Sequence, residues 1–240
     1  MGQATRTPGR ECLALLPPGS DAVRTLPLHG AWPAGSVALP AVDARRALLT
    51  GLFDHAPLFP PASMSLPDAL EEDRRAQASE HAWMLGRFVV PAGVEVEGRE
   101  LAIVSAGTER QGDDLYVEGV SKIRCGGARI PPVEELAAFI RACRERGVVF
   151  KATAGLHHAY PTPAGEHGFL NLLAAAVFGE EDDTLTAQRG SFELDAQSFR
   201  WDGRAAGPEA LARAREDLIH SIGSCSFFEP VGELEELGIL

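Results

Sequence analysis

The chain has 240 residues, 45% of them apolar and 23% charged, enough for one full α/β core or two small ones. Its net charge of -12 is not concentrated in one tail, which argues against the basic patches that nucleic acid or an anionic membrane surface would need. Four cysteines (Cys12, Cys125, Cys143, Cys225) show no C-x-x-C pair, and no run approaches the ~20 apolar residues of a membrane span. With no secretion-signal layout at the N-terminus, the expectation is a cytoplasmic protein with reduced thiols.

Residues 1–42 are broken by Pro8, Pro17, Pro18, Pro27, Pro33 and Pro40 with glycines between. They form a Pro-rich N-terminal extension, either an ordered arm or a loosely held one. Regular patterning starts at Asp43, so residues 43–240 are expected to make a single barrel-like domain. Asp43 can cap a helix over Ala44–Thr50, which Gly51 closes. Leu52–Phe59 leads to Pro60-Pro61, and Leu58–Pro61 with Asp54 and His55 reads as a stiff loop after the first barrel strand, closing one side of a pocket or serving only as a rigid turn. A charged helix is predicted over Pro67–His81, then strands over Met84–Val90, Leu101–Ser105, Leu115–Glu118 and Val120–Cys125. Pro131-Pro132 start an amphipathic helix, Val133–Arg146, closed by Gly147, and a strand follows at Val148–Ala154. Strand, helix, strand with short links is a βαβ unit with parallel pairing.

Phe169–Phe178 is apolar nearly all round and predicts a buried helix. Glu180–Asp183 reads as a solvated turn, and Phe192–Leu194 with Phe199–Trp201 as a small hairpin. Pro208–His220 predicts the last long helix and Ser224–Phe228 the last strand. The fold class is α/β, a (β/α)-barrel, complete or partial, with mostly parallel strands; an open doubly wound sheet competes. The barrel is preferred because polar residues recur late in the strands, where barrels build their sites.

Alternation puts Lys122 and Arg124 on one face of their strand, and Ile123 and Cys125 on the helix-packing face. Lys151 and Thr153 share the corresponding face of the next strand. Cations converging inside a barrel need carboxylates or a bound anion among them. Glu118 and Glu229 are the expected internal partners, and a small phosphate- or carboxylate-bearing ligand the external one. A closed ion-pair network without substrate is the plainer alternative. The glycines that end both strands would let a ligand approach the backbone.

Lys151 has three readings: a Schiff-base nucleophile, a fixed cation that binds substrate, or a structural ion-pair partner. His157-His158 stand where a βα loop begins and can move protons. One of them, with His167 and a carboxylate, is a conceivable metal site, although no spacing is diagnostic of a metal. Ser224 and Ser226 share a face and could contact phosphate, which puts Cys225 on the opposite face and gives it no expected role. His29, His81 and His220 read as surface or packing residues. No G-x-G-x-x-G or P-loop string appears, so no nucleotide cofactor is expected.

The string K-A-T-A-G at Lys151–Gly155 resembles the lysine strand of deoxyribose-phosphate aldolase-like barrels, which implies an amine nucleophile. Six strings resemble an uncharacterised family of bacterial proteins: L-F-P-P-A at Leu58, W-M-L-G-R-F-V-V-P at Trp83, K-I-R-C-G-G at Lys122, F-K-A-T-A-G-L-H-H at Phe150, H-G-F-L-N at His167 and S-C-S-F-F-E-P at Ser224. This resemblance covers Ala44 to the C-terminus and implies a shared barrel-like site without a reaction. It also implies that the preceding segment is an appendage, and it adds Asn171 to His167 as a substrate-binding candidate.

The expected function is an enzyme on a small anionic metabolite, a carbon–carbon lyase or isomerase. Lys122 and Arg124 would hold the anion, Lys151 would be the electrophile or amine, and His157 or His158 would carry protons. Glu118 and Glu229 would orient the lysines. A metal-dependent hydrolase or lyase and a non-catalytic ligand-binding barrel are the alternatives.

Overall fold

In a computed structural model, residues 43–104 and 121–240 are described. The N-terminal extension (1–42), the strand expected at Leu115–Glu118 and Glu118 itself lie outside the described residues. Asp43 caps α1 (Ala44–Leu49) by accepting the Arg45 N–H, the role its position implies. Next come β1 (Phe53–His55), α2 (Leu66–Gln77), β2 (Leu85–Pro91) and β3 (Leu101–Val104). β4 (Ser121–Arg124), α3 (Val133–Arg146) and β5 (Phe150–Thr153) form the expected parallel βαβ unit. They are followed by α4 (Phe169–Phe178), α5 (Glu181–Thr186), β6 (Phe192–Leu194), β7 (Phe199–Trp201) and β8 (Arg204–Ala206). The last elements are α6 (Pro208–Asp217), β9 (Ile219–Ser224) and α7 (Phe228–Glu236).

Six strands pair in parallel in the order β3-β2-β1-β9-β5-β4. Followed as a circle, this is simply chain order: the sheet's last strand lies against its first. A doubly wound sheet instead grows outward from the middle and leaves its last strand at an edge. The fold is mixed α/β, and the strand order is consistent with an incomplete (β/α) barrel. β6, β7 and β8 form a separate antiparallel sheet, one strand larger than the expected hairpin. No helix among the described residues is long and apolar enough to cross a membrane.

The helix side of the parallel sheet is apolar. Phe53, Phe150, Ala152 and Ile222 join Leu136 and Ile140 of α3 and nearly all of α4 in one buried cluster. Each such Phe, Leu or Ile contributes about 1.5–3 kcal/mol. That burial lets the opposite face of the same strands carry charge.

Three expectations shift. Glu180–Asp183 is no free turn; it leads into α5, where Glu181 is buried because Arg144 of α3 reaches it at 3.2 Å. The last helix ends at Asp217 instead of His220, since Ile219 and Ile222 enter the core as strand residues. The final strand, expected over Ser224–Phe228, lies earlier and ends at Ser224; α7 begins at Phe228, with Pro230 in its first turn, where a missing N–H costs nothing.

Candidate functional site

The parity of β1 sets the site. Phe53 packs on Phe169 and His55 turns to Asp73 of α2, so Asp54 between them points to the other face of the sheet. Lys151 of β5 reaches the same place. Its Nζ donates to Asp54 Oδ2 at 2.6 Å, and both side chains are 2% exposed. Ser221 of β9 donates to the same oxygen at 2.8 Å, and the main-chain N–H of Arg87 donates to Oδ1 at 2.7 Å. Gly86 leaves the room this requires, because a Cβ there would collide with Asp54 Oδ1. Three donors on one buried carboxylate are the compensation that a desolvated charge demands.

Lys151 borders a cavity of about 120 Å³. Drug-sized pockets run to ~300–1,000 Å³, so this one suits a small metabolite. Among the described residues, its polar wall is Lys122, Arg124, Lys151, Thr153, His157 and Cys225. Phe59, Pro60 and Pro61, from the loop after β1, supply an apolar side, as expected of a stiff loop. Lys122 is the register partner of Lys151, and Arg124 of Thr153, so the cations of neighbouring strands stand side by side. Ile123 and Cys125 take the helix-facing side and are buried. The glycines after β4 and β5 serve each other rather than a ligand: a Cβ on Gly126 would lie 2.6 Å from Gly155 Cα. The two loops can run in contact only without side chains there.

The histidines separate into different roles. His157 lines the cavity, and its Nδ1 lies 2.8 Å from Glu229 Oε2. His158 turns away to Glu233 of α7, at 2.8 Å, and lines an adjoining groove. His167 is buried, and its Nε2 donates to the Pro131 carbonyl at 2.7 Å. Asn171 donates from Nδ2 to the carbonyls of Thr184 and Ala187, tying α4 to the end of α5. Neither His167 nor Asn171 is part of the cavity wall. The three histidines considered for a metal thus have three separate sets of partners. Among the described residues, the histidine and acidic groups close enough for one ion are Glu80, His81 and Glu235, away from the cavity.

The last strand has the opposite parity to that expected. Ser221 is the register partner of Lys151 and Gly223 of Asp54, so the inner face continues through Cys225. Ser224 instead donates to the Ser226 carbonyl at 2.6 Å, and the Ser226 hydroxyl accepts the Glu229 N–H at 3.4 Å. Neither serine lines the cavity, whereas Cys225 does. Glu229, expected to orient the lysines, orients His157; among the described residues Asp54 is bonded to Lys151. One signal for Asp54 is present in the sequence: it is the lone acid between Phe53 and His55, on the opposite face from both.

Comparison of the chain with protein-family models, with curated proteins and with solved structures found no match in any of the three.

Proposed function

We propose that the chain is a cytoplasmic (β/α)-barrel enzyme that cleaves or isomerises a small carbonyl compound carrying a phosphate or carboxylate. The observation that supports this reading is the buried Lys151–Asp54 pair at the edge of a cavity whose wall also bears Lys122 and Arg124. A buried ion pair is weak evidence for stability, since apolar replacements of equal volume are often as good. Its place beside an opening is better explained by use.

Arg124, which forms no ion pair among the described residues, and Lys122 hold the anionic group. Lys151, fixed by Asp54, brings its ammonium to the carbonyl oxygen and stabilises the negative charge that builds there as a bond to the neighbouring carbon breaks. His157, held through Nδ1 by Glu229, moves the proton at Nε2. The family resemblance supports a shared pocket: five of its six strings contribute wall residues, namely Phe59, Val89, Lys122, Lys151 and Cys225 with their neighbours. Only H-G-F-L-N contributes none.

The test is a panel of small keto acids, hydroxy acids and sugar phosphates, scored by thermal shift and by turnover. An anionic carbonyl compound is expected to bind and turn over, with Lys151→Met reducing turnover by about 10²–10³-fold. Borohydride then separates the two lysine chemistries. A reduced adduct on Lys151 makes it an amine nucleophile, and turnover without an adduct leaves it a fixed electrophile. Turnover that survives Lys151→Met sinks the reading, and binding without turnover by either form makes the barrel a ligand-binding scaffold.

A further inference from the structure

The cavity wall carries a thiol that the lysine chemistry does not use, and it faces the histidine that this chemistry does use. Cys225 Sγ lies 3.8 Å from His157 Nε2, within hydrogen-bond reach for sulfur. His157 Nδ1 lies 2.8 Å from Glu229 Oε2, so the carboxylate fixes the ring with Nε2 turned to the thiol. Nucleophile, base and orienting acid in this order are the parts that activate a cysteine. They come from three places in the fold: Cys225 from the end of β9, His157 from the loop after β5, and Glu229 from the first turn of α7. Cys225 and His157 line both the cavity and the groove next to it, which Glu229 borders. The other described cysteines have no such setting. Cys125 is fully buried, which pushes its thiol up to about 12, and Cys143 faces the core from α3.

We propose that Cys225, His157 and Glu229 form a catalytic triad for acyl transfer, acting on a small amide or ester whose carboxylate or phosphate is held by Lys122 and Arg124. His157 Nε2 takes the thiol proton as Sγ bonds to the acyl carbon. The tetrahedral adduct then expels the amine or alcohol, to which His157 returns that proton. Water, deprotonated by His157, adds to the thioester carbon; the acid leaves and the thiol is restored, with one water consumed. Burial, with Glu229 of α7 and Glu72 of α2 nearby, holds the Cys225 thiol above its ordinary range. The resting group is therefore a neutral thiol, and the proton leaves only as the new bond forms. This activity shares the anion-holding cations, His157 and Glu229 with the proposed function and makes no use of Lys151.

The test uses the full chain with two probes, iodoacetamide and the mono-p-nitrophenyl ester of a small dicarboxylic acid, read by peptide mass mapping. Cys225 is expected to alkylate at least about tenfold faster than Cys125 and Cys143, and His157→Gln to slow Cys225 by about tenfold. The ester is expected to release a burst of nitrophenol and leave its acyl mass on Cys225, with Glu229→Gln slowing the burst. The ester arm needs no variant, so a misfolded His157→Gln does not block it. Equal alkylation of Cys225 with and without His157, or an ester that leaves no mass on Cys225, overturns the triad. Failure of the lysine reading shows elsewhere, in borohydride adducts and Lys151→Met kinetics.

Discussion

Consecutive residues of β1 anchor two buried ionic networks that face opposite ways. Asp54 turns inward to Lys151 and Ser221. His55 turns outward to Asp73, which Arg99 grips at 2.7 and 3.1 Å. Asp54 is 2% exposed and Asp73 1%, so burial does not tell them apart. Their neighbours do. Arg99 also donates to the Gly86 carbonyl and Gln77 to Asp73, which makes the outer network a clasp between α2, β2 and the approach to β3. None of its members touches the cavity. Ion pairing under cover is thus common to a fastening and to a site; only an adjoining hollow separates them.

The largest expected effect strikes the inner network. Asp54→Ala removes the carboxylate bonded to the buried Lys151 ammonium and should cost about 3–5 kcal/mol in urea denaturation. Adding Lys151→Met should restore most of that loss. If the double variant is no more stable than the single, the two groups are not acting as a pair.

Asp73→Asn should cost about 2 kcal/mol while leaving ligand-induced thermal shifts at the cavity unchanged. Altered binding would mean that the clasp and the site are not independent. Burial alone would raise the Asp73 carboxyl, but hydrogen bonds from His55 and Arg99 outweigh it and hold the group below its ordinary value. A lowered carboxyl contributes stability that is full above its unfolded pKa of about 3.9 and is lost as pH falls through the folded value. The variant should therefore show a smaller loss of stability below about pH 4.

The smallest effect concerns His220, which sits on β9 next to Ser221. Its Nε2 accepts from the Arg87 guanidinium at 2.9 Å, and burial, followed by Arg87, lowers its pKa. A lowered histidine favours the fold while neutral. Its contribution is full above about pH 6.5 and falls as pH drops through the folded value. His220→Gln should flatten the fall in melting temperature between about pH 7 and pH 5.5, and an unchanged slope would assign that acid sensitivity elsewhere.

The faces of β4 and β5 were legible because apolar residues alternate with charged ones: Ile123 between Lys122 and Arg124, Phe150 and Ala152 around Lys151. At the end of β9 the residues Gly223, Ser224 and Cys225 are all small, so composition carries no contrast. Parity there is set by the pairing of Ile222 with Phe53 on the neighbouring strand. Asp54 was hidden for another reason. Its strand is three residues long and runs into Pro60-Pro61, so the segment looks like loop. Glu229-Pro230 mark the start of a helical turn in the sequence, and α7 begins there, one residue earlier and nine residues long. His167 was suggested as a companion of the two adjacent histidines and Asn171 by the H-G-F-L-N resemblance; packing accounts for both, since each bonds to main-chain carbonyls.

The circular strand order has a consequence for how the pocket comes into being. Asp54 receives its lysine from 97 positions away and its serine from 167. β9 is a keystone, inserted between β1 and β5 after every other strand of that sheet has been synthesised. Contacts so distant along the chain are slow to form, and no fragment lacking β9 contains the hollow. An occupant would therefore grip the finished sheet alone and raise the unfolding midpoint of the whole by mass action, so that heat resistance reports on occupancy.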